Sequence, residues 1–258
     1  MTSSGEKMEE KLKKLRTLNI WAMLLHFVSG IVMVMVSTDM KVDITGSFLR
    51  FDRTTQTLAN KLDTLFSIPL APFVASFLFI SALAHFMIAF PFNKQYNEGL
   101  KKNINIARWI EYAFSSSIMM VVISLLVGIS DIAALIVIFI LNAMMIFFGW
   151  MMELHNQTTE KTNWTSFIFG CFAGIGPWIA VAIYLANPGS TDHPPTFVYW
   201  IFFSIFLFFN IFAVNQVLQY KKVGKWSDYL YGERAYVILS FVAKSVLAWQ
   251  VFAGTLRP

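Results

Sequence analysis

The sequence predicts an all-α membrane protein, a bundle of seven transmembrane helices whose N-terminus is cytoplasmic, and three observations carry that reading. Only 14% of the 258 residues are charged, whereas 57% are hydrophobic and 16% aromatic, and the mean hydropathy is +0.60. Soluble domains carry roughly 25% charged residues, so a water-soluble globule is disfavoured. The apolar residues come in blocks of about 20 or more, the length an α-helix needs to cross roughly 30 Å of hydrocarbon. Finally, Lys and Arg flank these blocks unevenly on the two sides, as membrane topology requires.

The blocks fall roughly at 16 to 37, 67 to 90, 105 to 127, 131 to 152, 164 to 186, 196 to 219 and 234 to 256. Before the first, Met1 to Lys14 is polar and charged. No small-residue cleavage pattern follows a short apolar run, so the first span is expected to remain as a signal anchor. Residues 1–258 read as a single membrane domain with no separate soluble part. The one long connection, Ser37 to Phe66, contains the alternating Lys41-Val42-Asp43-Ile44, a turn candidate at Thr45-Gly46 and an extended stretch from Phe48 to Phe51. A short β-hairpin is expected there, in the first extracellular loop. The third span carries Glu111 and the seventh Lys244. The fifth holds Gly170-Cys171-Phe172-Ala173-Gly174, a small-xxx-small motif that lets another helix approach closely. Cys171 is the only cysteine, so no intrachain disulfide can form.

On one side of the spans lie fourteen basic residues: Lys7, Lys11, Lys13, Lys14, Arg16, Lys94, Lys101, Lys102, Arg108, Lys161, Lys221, Lys222, Lys225 and Arg234. The other side has five, Lys41, Arg50, Arg53, Lys61 and Arg257, with Lys244 left inside a span. Positive loops stay inside, so the N-terminus is expected in the cytoplasm and the C-terminus outside the cell membrane. Asn156-Gln157-Thr158 and Asn163-Trp164-Thr165 match the glycosylation pattern but then face the cytoplasm and are expected to carry no glycan. The net charge of +5 has the same origin. It does not form the clustered basic surface of a nucleic-acid binder, so no nucleic-acid partner is expected.

Lys244 stands near the middle of the last span, where a lone ammonium costs on the order of 3 kcal/mol and lies too deep to snorkel. Glu111 reads as the one acidic residue clearly inside a span. Two such groups are explained most simply if they face each other across the bundle. A plain ion pair tying the third and seventh spans together accounts for that. A chemical reading does so too, because a buried amine is a nucleophile towards an aldehyde, forming a Schiff base that needs a carboxylate counterion once protonated. Ser240 precedes Lys244 by one helical turn and Ser115 follows Glu111 by one turn, so both hydroxyls can share the polar site.

Several segments resemble the heliorhodopsins, the inverted-topology family of microbial retinal proteins. They are Arg108-Trp109-Ile110-Glu111-Tyr112, Leu239-Ser240-Phe241-Val242-Ala243-Lys244-Ser245, Asn142 to Trp150, Gly174-Ile175-Gly176-Pro177-Trp178, Asn187-Pro188-Gly189-Ser190-Thr191 and Gly224 to Tyr236. The resemblance covers essentially the whole chain and implies a rhodopsin-like bundle. It implies all-trans retinal bound covalently to Lys244, Glu111 as counterion, Ser240 hydrogen-bonding near the Schiff base, and Tyr112 and Ser115 beside it. It places Asn142, Met145, Ile146, Gly149, Pro177, Trp178, Phe209 and Gln216 around the retinal, and His26 and His85 in a proton-accepting polar network, a role suited to a side chain with a pKa near 6.5.

Pumps of the microbial type carry a carboxylate one turn before the retinal lysine and a second further along the third helix. Here those positions offer Ser240 and the serines Ser115, Ser116, Ser117 and Ser124, so vectorial pumping is disfavoured. The resemblance points to a light-sensing photoreceptor with a slow photocycle and a signalling or regulatory role, and to no enzymatic activity and no metal site. A light-gated proton channel is the alternative, since some viral members look like channels. A retinal-free carrier, or an enzyme using Lys244 and Glu111 as base and acid, fits the residues without the resemblance. The family likeness also implies a homodimer through the fifth span and the first outer loop. The basic, aromatic segment Lys221 to Arg234 is either a docking surface for a cytoplasmic signalling partner or a headgroup anchor.

Overall fold

The chain is described by a computed structural model covering residues 3–186 and 194–258. The expected Asn187–Thr191 segment lies outside the described residues. Eight α-helices run α1 (Ser3–Val36), α2 (Leu70–Ala89), α3 (Asn93–Lys101), α4 (Ile106–Leu126), α5 (Ile132–His155), α6 (Thr165–Ala186), α7 (Thr196–Tyr220) and α8 (Tyr229–Val251). All but α3 are long and apolar enough to cross a membrane, which makes the chain a multi-pass membrane protein. Helices α4, α5 and α8 start where short polar side chains bind free backbone N–H groups. Asn105 accepts from the Arg108 amide at 3.1 Å, Asp131 from those of Ala133 and Ala134, and Asp228 from that of Leu230. The first helix begins well before the apolar block, because Leu12 and Leu15 in its charged segment are buried against Tyr96 and Leu100 of α3 and Leu230 of α8.

Between α1 and α2, strands β1 (Lys41–Asp52) and β2 (Thr57–Pro69) form the expected antiparallel hairpin. Its turn is not at Thr45-Gly46. Those two residues lie inside β1, where the register slips between Ile44 and Thr45, and Thr45 is fastened to the α4–α5 connection: its amide donates to Ser130 O at 2.9 Å and its hydroxyl bonds Ser130 Oγ at 3.0 Å. The chain reverses instead at Arg53 to Gln56, with Gln56 at φ 53°. Asp52 Oδ1 accepts from the amides of Thr54 and Thr55, and these donors hold its carboxyl below the usual carboxylate range. They close the turn without glycine.

The bundle divides into two unlike halves. Towards the hairpin, Phe77, Leu78, Met120, Ile123, Val181, Ile201, Leu247 and Val251 form a continuous apolar core from five helices. Towards the opposite end the interior carries Asn19, His26, His85, Asn105, Arg108, Glu111, Glu153, Gln219, Glu233 and Lys244, all buried. Buried polar groups of this number persist only when they bond one another.

Candidate functional site

Lys244 on α8 and Glu111 on α4 meet across the bundle. Lys244 Nζ donates to Glu111 Oε1 at 2.6 Å and to Ser240 Oγ, one turn earlier on the same helix, at 2.8 Å. Both charged side chains are more than nine-tenths buried, so the pair is held by mutual attraction and hydrogen bonds in place of water. Two further groups complete the cluster. Ser81 of α2 stands with its Oγ 2.6 Å from the same Glu111 oxygen. Nothing distinguishes Ser81 from the chain's other serines in the sequence. Tyr112 places its ring 5.2 Å from Lys244 Nζ and donates its hydroxyl to Tyr236 O of α8, so it braces α4 against α8 beneath the amine.

Lys244 opens onto a cavity of about 840 Å³ of space between protein atoms, part of it open to the outside. Met145, Ile146, Gly149, Phe209 and Gln216 line it with Tyr112, Ser115 and Ser240, which brings together most of the residues expected there. Trp109, Met119, Phe167, Phe212 and Tyr236 add aromatic and sulfur surface. Gly149 is needed for its shape: a Cβ there would stand 2.5 Å from the Trp109 ring. Asn142, Pro177 and Trp178 are not in this wall. Asn142 Nδ2 donates to Ser116 Oγ and Ser117 Oγ, tying α5 to α4; Pro177 lies within α6; and Trp178 packs edge-on against Phe202, Phe206 and Phe209 of α7. Through Phe209, Trp178 supports the wall from behind. The small-xxx-small motif of α6 faces α5, where a Cβ on Gly170 would meet Met145 O and Phe148 at 3.2 Å.

The cavity fits a long apolar aldehyde. It is narrow, largely apolar, and ends at a buried primary amine with a carboxylate behind it. Within it the buried Ser115 hydroxyl has no hydrogen-bond partner among the described residues, so Ser115 does not join the Lys244–Glu111 cluster. A family description, Heliorhodopsin, matches residues 15–256. The chain belongs to the heliorhodopsin family. No curated protein matches the sequence significantly. As a heliorhodopsin it is a retinal-binding, light-sensing membrane protein.

The heliorhodopsin's two interior histidines lie on the side of Glu111 away from the hairpin core. His26 and His85 stack with ring centroids 5.9 Å apart, and His85 Nδ1 lies 2.8 Å from Asn19 Oδ1. His26 has neither ring nitrogen bonded, and Phe241 of α8 closes over it. Neither histidine bonds Glu111 directly. A second cavity, lined by Asn19, His85, Tyr96, Asn105, Arg108, Glu111, Tyr112, Glu233 and Tyr236 among others, joins His85 to a second ionic cluster.

That cluster corrects the expectation of a single intramembrane acid. Glu153 of α5 and Glu233 of α8 are each 1% exposed, and Arg108 is buried between them. It bonds Glu153 Oε2 at 2.8 Å and, still more closely, Glu233 Oε1. Trp109 Nε1 and the Asn105 amide donate to Glu153; Asn105 Nδ2 and Gln219 Nε2 donate to Glu233. The rings of Trp109 and Tyr236 lie 4.3 and 4.1 Å from the guanidinium carbon. Arg108 opens a span and reads from the sequence as a boundary charge, yet it is buried, and α3 and the N-terminal part of α1 cover that end of the bundle.

Proposed function

We propose that this protein is a photoreceptor that holds all-trans retinal covalently through Lys244 and signals without pumping ions. The observation that carries the reading is the buried Lys244–Glu111–Ser240 arrangement at the end of an apolar cavity. When bound, retinal supplies an aldehyde that condenses with the Lys244 amine with loss of water, and a conjugated chain that absorbs visible light. Glu111 then serves as the counterion of the protonated Lys244 nitrogen, Ser240 accepts from that nitrogen, and Tyr112 packs beside it. Met145, Ile146, Gly149, Phe209 and Gln216 exclude water from the apolar part, with Asn142, Pro177 and Trp178 in supporting positions.

A proton leaving the Lys244 nitrogen has acceptors on one side only. Glu111, His85 and His26 belong to the polar end, and among the described residues the hairpin half buries serines and Asn142 but no carboxylate or histidine. Glu153 and Glu233 are engaged by Arg108, so they do not form a relay on the other side of the pair. A proton that moves into this enclosed network and returns from it crosses nothing, and the return is expected to be slow. The polar end is assigned to the cytoplasm by the positive-inside rule. The segment Lys221 to Arg234 is then the surface for a signalling partner, and the protein works as a homodimer. The second reading, a light-gated proton channel, draws on the polar cavity from Glu111 to Glu233.

Voltage-clamp recording of the retinal-loaded protein tests this. The sensor reading expects visible absorbance that is lost in Lys244→Ala, with no photocurrent at any voltage. A photocurrent that reverses with voltage would establish the channel instead.

A further inference from the structure

A third concavity lies on the outer surface of the bundle, away from the Lys244 cavity. It is a groove between α2 and α4, roofed by α3, with about 1530 Å³ of space between protein atoms and open to the outside. On α4 it runs from Ile106 to Phe114, about 12 Å at 1.5 Å per residue. Its flanks are Leu83 and Ile110, and its narrow floor is made of Ala84 and Ala107, small residues that let the groove cut inward as far as Glu111. A flat apolar helix face needs no explanation in a bilayer. A deep slot does, because α2 and α4 would bury more surface by closing it, and lipid tails are the solvent at this depth.

The roof has a different chemistry. α3 presents Phe92, Gln95, Tyr96 and Gly99 to the slot. Lys94 near its start and Lys102 at its end are exposed, and neither enters an ion pair among the described residues, whereas Lys101 is engaged by Glu9. An apolar slot within the membrane span, with two exposed lysines on the helix that roofs it, matches an amphiphile with one long chain in the slot and an anionic head within reach of the lysines.

We propose that the α2–α3–α4 groove binds one acyl chain of an anionic phospholipid, with Lys94 and Lys102 holding its phosphate. The chain fills the slot above Ala84 and Ala107 and shields Glu111 from water on the side the retinal cavity does not cover. The site stands whether or not Lys244 carries retinal, because no cavity residue of the Lys244 pocket other than those of the shared cluster enters it.

The test is native mass spectrometry of the full chain, delipidated in detergent and then offered an equimolar mixture of phosphatidylglycerol and phosphatidylcholine with identical chains. One phosphatidylglycerol per protomer is expected to be retained, preferred about tenfold, as two lysines at an anionic headgroup support. Ala84→Phe, which fills the slot, is expected to abolish retention. The surface variant Lys94→Gln/Lys102→Gln, which leaves the bundle untouched, is expected to keep a chain but lose the headgroup preference. Equal retention of both lipids by the unaltered protein overturns the proposal, as does phosphatidylglycerol retention unchanged in Ala84→Phe or a preference that survives the double lysine variant.

Discussion

Ser81 and Lys244 converge on one oxygen atom: Ser81 Oγ and Lys244 Nζ each stand 2.6 Å from Glu111 Oε1. The Glu111 carboxylate is therefore shared between an amine on α8 and a hydroxyl on α2, and its charge is partly spent on the hydroxyl. In Ser81→Ala that share returns to the Lys244 nitrogen, which holds the positive charge more tightly at one end of the conjugated system. The visible band is expected to move to shorter wavelength. Glu111→Gln, which removes the charge altogether, is expected to move it further and to longer wavelength. Absorption spectra of the two variants check both signs, and an unmoved band in Glu111→Gln would assign the counterion role to another group.

Asn19 is, among the described residues, the one side chain bonded to His85. Asn19→Leu is expected to change the rate at which the Lys244 nitrogen loses and regains its proton, with the resting colour nearly unchanged. His85→Ala and His26→Ala should do likewise. Flash photolysis reads this directly; wild-type kinetics in all three variants would return the pair to a packing role.

Arg108 balances two buried carboxylates, so the three residues do not contribute equally. Arg108→Ala strands both Glu153 and Glu233 and is expected to cost about 3–5 kcal/mol, the range for breaking a buried pair. Glu153→Gln leaves one cation against one carboxylate and keeps a hydrogen-bonding side chain, and its cost is expected to be smaller. Thermal unfolding followed by loss of the visible band ranks the variants, and equal Tm values would mean that water reaches the cluster.

The hairpin is pinned at its base by Thr45 and the buried Ile44, while Phe48, Leu49, Phe51, Leu58 and Leu62 beyond it are exposed. Deleting Ser47 to Thr57 should therefore leave the pigment intact but weaken the homodimer in detergent sizing. An unchanged dimer would remove the hairpin tip from the interface.

Much of this was readable from the chain because a bilayer imposes few solutions. The seven apolar blocks became seven helices, and the expense of an isolated Lys244 and an isolated Glu111 pointed each towards the other. What escaped was whatever depends on cover supplied from elsewhere. Glu153 and Glu233 sit near helix ends, where sequence alone expects headgroups and water; they are buried because α3 and the start of α1 close over them. α3 itself is too short and polar to register as an apolar block. At the hairpin, Gly46 looks like a turn residue but lies inside β1 opposite Asp63, and the actual turn is closed by the Asp52 carboxylate.

The polar interior also fixes how α4 and α8 can move. Glu111 reaches Lys244, and three residues earlier on α4 Arg108 reaches Glu233, eleven residues before Lys244 on α8. Two rods bolted together at two points can neither slide nor swivel past one another. If the bolt at Lys244 slackens after a photon is absorbed, the ties at Glu233 and Tyr236 become the hinge, and the motion left to α8 is a swing about that end, smallest there and widest beside the hairpin.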